Sequence, residues 1–245
     1  MTDSFLTHIR IVLVEPAGAL NVGAIARVMK NMGLGQLILI NPQCDPNSAE
    51  AKQMAVHGSD ILGNAQIVTS LAEALVGCKL AVATTARDRA LSLSLQSPTD
   101  VLPQLLNVPS ALIFGREDSG LTNEELTHAQ HSIYIPTAST YPSLNLATAV
   151  AICAYELQKS VTVEPSEPPA QETVTLEALE GYYQHLEQLL LKIGFLYPHT
   201  ASAKMKKFRQ LFNRADLTPE ELALLRGILR QTEWAIDNSD SLKGK

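Results

Sequence analysis

Three short segments carry the residues best suited to chemistry. The first is Asn21-Val22-Gly23-Ala24-Ile25-Ala26-Arg27, reached from an apolar run across a loop containing Pro16 and Gly18. At 3.6 residues per turn Val22, Ile25, Met29 and Met32 share one stripe, while Gly23, Arg27, Lys30 and Asn31 face the other way. Arg27 therefore projects from the core, and its planar fork suits a phosphate or a carboxylate. A solvated arginine satisfies the same pattern. The second segment runs from Ile113 to Leu121, a strand entering a polar turn flanked by Gly115 and Gly120, after which Thr122 and Glu125 have capping-box spacing. Glycines at a strand end let backbone approach a ligand at the carboxyl edge, where open α/β sheets bind their ligands. A plain strand-to-helix turn reads the same way. The third is Ile135-Pro136, then Tyr141-Pro142-Ser143-Leu144-Asn145-Leu146 and a helix with Ala147, Ala149, Ala151 and Ala154. Small side chains permit close helix contact within the monomer or across a dimer, and Ser143 is a good N-cap by type.

Other chemistries lack their residues. Gly33-Leu34-Gly35 has no third glycine and precedes a strand, so it is no dinucleotide fingerprint, and neither a phosphate loop nor a Gly-x-Ser-x-Gly elbow occurs. His128 and His131 have ligand-like spacing without a third ligand beside them, so no metal is expected. Cys44, Cys78 and Cys153 are far apart and odd in number, which fits a reducing cytoplasm better than a disulfide framework. The N-terminus has no leader pattern and no segment has the apolar length of a membrane span.

The elements that must position these segments alternate along the chain. Apolar strand-length runs at 9–14, 36–41, 80–84, 111–115 and 133–136 are separated by helical patterns at 22–32, 49–56, 71–76, 123–129 and 144–158. Such alternation predicts an α/β domain with a mostly parallel sheet over residues 1–160. Residues 161–173, with Pro165, Pro168 and Pro169 among Glu, Ser and Gln, read as a linker. Residues 174–245 read as a small helical extension. There Leu176, Leu179, Tyr183, Leu186, Leu190 and Ile193 line one helix face, and Thr218-Pro219-Glu220-Glu221 opens another helix. The net charge of −6 argues against a polyanion partner, but locally the balance differs. Residues 1–170 carry 9 basic and 15 acidic side chains, and 171–245 carry 10 of each. Lys204, Lys206, Lys207, Arg209 and Arg214 form a run without an intervening acid, either a solvated face or a phosphate grip.

In this order and at these separations, the three segments resemble the motifs of the SPOUT (TrmH-like) methyltransferases, over roughly residues 8–160. The likeness is closest to the bacterial TrmJ-type tRNA (cytidine/uridine-32) 2′-O-methyltransferases. The resemblance implies an α/β-knot fold with a C-terminal trefoil knot, S-adenosylmethionine as methyl donor, RNA methylation during tRNA processing, and a homodimer in the cytoplasm. By position it implies Arg27 as the catalytic arginine, Asn21 shaping its loop and Ser143 orienting the ribose. It further implies cofactor contacts from Thr84, Thr85, Ala86, Gly115, Glu117, Ile135, Pro142, Ser143, Leu144 and Asn145. RNA would be gripped by Arg27 together with Lys204, Lys206, Lys207, Arg209 and Arg214. Pro142 departs from the small polar residue of many relatives, and without an N–H it retains only a carbonyl to offer. The alternatives are the same transfer to another RNA, such as ribosomal RNA, and a non-catalytic RNA-binding member of the fold.

Overall fold

The computed structural model describes residues 6–86, 96–161 and 174–238. They divide into two compact units, 6–161 and 174–238. In the first, strands β1 (Ile9–Val14), β2 (Gln36–Ile40), β3 (Gln66–Val68), β4 (Leu80–Thr84), β5 (Ser110–Phe114) and β6 (His131–Ile133) form one sheet. Their order is β3-β2-β1-β5-β4-β6, and every pairing is parallel. Each residue of β5 is buried, and since successive side chains point to opposite faces, both faces of the sheet centre are covered. That is why these strands read as continuous apolar runs.

The helices of this unit are α1 (Ala19–Asn31), α2 (Ala49–Ala55), α3 (Ser59–Gly63), α4 (Leu71–Ala74), α5 (Pro98–Val101), α6 (Asn123–Leu126) and α7 (Leu146–Val161). The Val22, Ile25 and Met29 stripe of α1 is fully buried and Arg27 is exposed. Gly23 was expected on the outer face and is instead buried: a β-carbon there would lie 2.3 Å from the carbonyl oxygen of Ala51, so α1 and α2 meet backbone to backbone. A second close approach sits at Gly58, where a β-carbon would stand 2.7 Å from Ala26 O and 3.0 Å from Arg27 N. Two glycines thus fix the helix that bears Arg27.

The strand placed at 133–136 ends at Ile133, because Pro136 has no N–H for a ladder and Tyr134 N turns to Gln96 O at 3.2 Å. The edge strand β3 was missed, its three residues being too short and too exposed to show a pattern. Helix α7 begins at Leu146, not 144. Its cap is Asn145, whose Oδ1 accepts from the N–H groups of Ala147 at 2.9 Å and Thr148 at 3.3 Å, and this leaves Ser143 free of the capping role. The proposed 161–173 linker lies outside the described residues apart from Val161, which closes α7.

The second unit consists of α8 (Leu176–Lys192), α9 (Ala201–Asn213) and α10 (Pro219–Asp237), the last opened by the expected capping box of Thr218 and Glu221. Its centre is aromatic: Tyr182 meets Phe212 edge to face with centroids 5.2 Å apart, and Tyr183 donates its hydroxyl to Asn213 Oδ1 at 2.8 Å. The buried stripe of α8 drifts from the one read in the sequence. Leu189 is buried where Leu190 was expected, and Ile193 is 47% exposed. A straight helix at 3.6 residues per turn drifts by about 20° per heptad from a strict 3-4 repeat, and the drift accumulates toward the end of α8. Among the described residues no helix is long and apolar enough to cross a membrane.

Candidate active site

The loops leaving β4, β5 and β6 converge with residues 142–144 on a cavity of about 260 Å³. Phe114, Leu121, Leu146 and Leu144 give it apolar walls, and Thr84, Thr85, Glu117, Asp118 and Ser143 a polar lining. It lies at the carboxyl edge of adjacent parallel strands, where helix-covered sheets leave backbone groups facing a crevice.

The loop after β5 is closed by its own chemistry. Gly115 can have no side chain: a β-carbon would lie 2.2 Å from Gly120 C and 2.3 Å from Leu121 N. Gly120, at φ 69, turns the chain back so that its N–H reaches Arg116 O at 3.0 Å. Arg116 then clamps the turn from outside. Its guanidinium holds Glu125 through both terminal nitrogens, at 3.0 and 2.9 Å, and Glu15 through Nε at 2.8 Å. Glu15 at the end of β1 takes φ 46, a left-handed conformation uncommon outside glycine, and this turn accompanies its reach to Arg116. Donating to Glu125, then to Glu15, pushes the Arg116 pKa further up, so the guanidinium keeps its charge.

Glu117 links this loop to α1. Its carboxylate accepts from Ala17 N, Gly18 N and Asn21 Nδ2, each at 3.1 Å, and so sits at the N-terminal end of that helix, where its dipole favours negative charge. Asn21 Oδ1 in turn accepts from Asn145 Nδ2 at 3.0 Å, and Asn145 caps α7. One unbroken chain of hydrogen bonds, Glu117 to Asn21 to Asn145, therefore ties all three sequence segments together. Burial works to raise the Glu117 carboxyl, but the bonds from Ala17, Asn21 and Gly18 outweigh it and hold it below its ordinary 4.5. The stability this gives is present above that ordinary value and lost as the pH falls through the depressed one.

Residues 8–155 match the SpoU rRNA Methylase family, and residues 177–241 match the C-terminal domain of the tRNA methyltransferase TrmJ. The chain belongs to the SpoU methylase family. A tRNA (cytidine/uridine-2′-O-)-methyltransferase TrmJ from Pectobacterium atrosepticum is 43% identical over 240 residues, 95% of this chain and 99% of that protein. The crystal structure of TrmJ from Z. mobilis ZM4 superposes with a TM-score of 0.83 at 29% identity, over 91% of this chain and 98% of that one. A probable methylase family protein from Haemophilus influenzae Rd KW20 is 34% identical, with a TM-score of 0.62 over 96% and 99%.

Against this SpoU methylase frame, the residues expected to hold the cofactor fall into two groups. Thr84, Thr85, Ala86, Gly115, Glu117, Ile135, Pro142, Ser143 and Leu144 all line the cavity. Asn145 does not; it serves as cap of α7 and partner of Asn21. Several lining groups are already engaged. Thr84 donates its hydroxyl to Ile113 O at 3.1 Å, and the Pro142 carbonyl accepts from Thr137 Oγ1 at 3.2 Å. The Glu117 carboxylate faces α1 as described, so its observed role is to hold that helix. Sequence reasoning missed the apolar walls Phe114, Leu121 and Leu146 as site residues, because apolar side chains carry no chemical label until a cavity opens beside them. It also missed the Arg116 clamp, whose partners lie at Glu15 and Glu125. Arg27 does not line the cavity of its own chain, though its helix starts at the Glu117 and Asn21 contact.

In the helical unit the expected basic run separates. Arg209, expected to face RNA, is instead held by both oxygens of Glu180, at 2.5 and 2.8 Å, with its guanidinium carbon 4.6 Å from the centre of the Tyr183 ring. It serves the interior of that unit. Lys204 donates to Phe195 O at 2.9 Å, while Lys207 and Arg214 are exposed. Among the described residues no cluster of three or more His, Cys, Asp or Glu has metal-binding geometry, and His131 pairs with Gln96 Oε1 at 2.7 Å.

Proposed function

We propose that this chain transfers a methyl group from S-adenosylmethionine to a ribose 2′-hydroxyl of tRNA, at cytidine or uridine 32 of the anticodon loop. The observation that carries the reading is the Glu117–Asn21–Asn145 chain, which couples a ligand-sized cavity to the helix presenting Arg27. The 43% identical Pectobacterium relative is a tRNA (cytidine/uridine-2′-O-)-methyltransferase, which supports the substrate class. The cavity fits the donor by its lining: apolar walls for an adenine ring, hydroxyl and backbone groups for a ribose, and Asp118 at the rim toward a cation.

S-adenosylmethionine, when bound, supplies a methyl on a sulfonium leaving group. The cavity residues hold and orient it, since the chief demand of the reaction is alignment. Ser143, not used as a cap, orients the ribose. Arg27 holds a substrate phosphate and stabilises the oxyanion that develops at the 2′-oxygen. A guanidinium stays protonated, so the hydroxyl proton passes to a substrate phosphate or to water. Tritiated-methyl transfer to total tRNA tests the reading, and mapping ribose methylation in cells with and without the protein tests the position. Transfer to ribosomal RNA alone would overturn the substrate assignment.

In this reading the enzyme is a cytoplasmic homodimer that includes the trefoil knot. Arg27 is absent from its own chain's cavity lining, and Leu20, two turns earlier on the same outer stripe, is 51% exposed. Both features suit a helix that meets a second copy. Lys206, Lys207 and Arg214 then grip the tRNA backbone from the helical unit. A chain ending at residue 173 should bind tRNA more weakly, with a flatter dependence of log affinity on log salt, because fewer phosphates are neutralised. An unchanged slope in filter binding would return these lysines to a solvated face.

Glu117→Gln tests the link to α1. An amide cannot accept from all three donors, and one unmet donor costs about 1–3 kcal/mol. Turnover should fall about fivefold or more, while the donor's Kd in calorimetry moves much less. The difference in melting temperature from wild type should shrink as the pH falls from the ordinary carboxylate value of 4.5 through the depressed folded-state value, because the wild-type carboxylate then becomes protonated too.

A further inference from the structure

The loop between α8 and α9 shows an alternation unusual for a surface. Phe195 is 51% exposed, Leu196 2%, and Tyr197 56%. The loop is built to hold this arrangement. Gly194 turns at φ 75, Leu196 N bonds to Leu190 O at 3.0 Å, and Tyr197 O accepts from Thr200 N and Ala201 N at 2.8 and 2.9 Å. Leu196 is thus the anchor and the two rings stand outside it. Tyr197 stacks on His199 with centroids 6.0 Å apart and planes at 22°. Phe195 lies under Lys204, whose Nζ is 4.6 Å from the ring centre, and beside Phe208 at 6.5 Å.

The stretch of chain that carries these rings has charge of one sign. From Gln188 to Ala215 the chain holds six Lys and Arg and no Asp or Glu. Lys192 and Arg209 are consumed by Asp237 and Glu180. Lys204, Lys207 and Leu211 on α9 and Arg214 at its C-cap follow one another at helical spacing, so the cations rim the stripe beside Phe208, which meets Phe195. Exposed flat rings in a setting of lysines match a polyanion that also offers aromatic faces. A paired helix hides its base faces, so the complementary partner is an unpaired nucleic-acid strand.

We propose that Phe195 and Tyr197, flanked by Lys204, Lys207 and Arg214, form a stacking platform for unpaired bases of an RNA loop. This rests on the reading above that RNA is the partner, and it adds that the helical unit contacts bases as well as phosphates. A tRNA anticodon loop meets the requirement. The tyrosine and phenylalanine rings give a term independent of salt, and the cations give the salt-dependent one.

The full-length chain is titrated with a fluorescent twelve-nucleotide single-stranded RNA, an abasic strand with the same number of phosphates, and a duplex. Tyr197→Ala should weaken single-strand binding about fivefold or more, with the salt slope unchanged. Tyr197→Phe, which keeps the ring, should bind as wild type. Lys207→Ala should instead lower the slope by about 0.7. The abasic strand should bind wild type no better than the intact strand binds Tyr197→Ala. Equal affinity of intact and abasic strands, or no effect of Tyr197→Ala while methyl transfer to tRNA proceeds, overturns the platform alone. A change of mass in sedimentation on Tyr197→Ala would assign the rings to a second copy and overturn it too. Absence of both RNA binding and methyl transfer in wild type overturns the platform together with the proposed function.

Discussion

Replacing Arg27 by alanine should reduce methyl transfer about a hundred- to a thousandfold, the usual loss when one stabilising donor to a developing oxyanion is removed. The helix itself should survive. Val22, Ile25 and Met29 supply its buried face, Gly23 brings its backbone against Ala51, Gly58 packs against its Ala26 carbonyl, and the exposed side chain is in none of these contacts. The donor's Kd should change little, since Arg27 is absent from the cavity lining. Arg27→Lys should recover only part of the rate, because a point charge lacks the planar fork. Single-turnover kinetics beside calorimetry makes the comparison, and wild-type turnover in the alanine variant would sink the assignment.

Gly115→Ala is expected to abolish donor binding with Arg27 untouched. The new methyl would stand 2.2 Å from Gly120 C and 2.3 Å from Leu121 N, both backbone atoms. These atoms cannot yield cheaply: the Gly120 N–H is bonded to Arg116 O, and Arg116 is fixed to Glu15 and Glu125. Relief requires opening the turn that walls the cavity. Overpacking of this kind costs about 1–3 kcal/mol, which lowers the melting temperature by about 2–4 °C per kcal/mol in a chain of this size. Calorimetry with the donor should show no heat while the melt stays cooperative. Normal affinity would mean that the loop lies away from the ligand.

The two variants together test the dimer. Mixed in equal amounts after co-refolding, Arg27→Ala and Gly115→Ala chains produce hybrids in which one chain has an intact cavity and the other an intact arginine. If the arginine serves the partner's cavity, activity should return to about a quarter of wild type, because half the dimers are hybrid and each has one working site. An arginine acting on its own chain's cavity would leave the mixture inactive.

The amino-acid sequence by itself determined the classes of element and much of the site. Buried parallel strands are almost continuously apolar, so β1, β2, β4 and β5 announced themselves; capping boxes marked the starts of α6 and α10; and Gly115 stood at a strand end where a ligand crevice opens. These signals are local, since propensity, periodicity and capping act within a turn or two of chain. Only the tertiary structure decided what distant groups do to one another. It turned Glu117 toward the start of α1 from a hundred residues away, gave the cap of α7 to Asn145 rather than Ser143, and buried Gly23 against a carbonyl of α2. It also withdrew Arg209 from the basic run by offering it Glu180 and the face of Tyr183. A side chain's partner is fixed by the crossing of elements, and a hydrogen bond formed across the fold leaves no spacing in the sequence from which to read it.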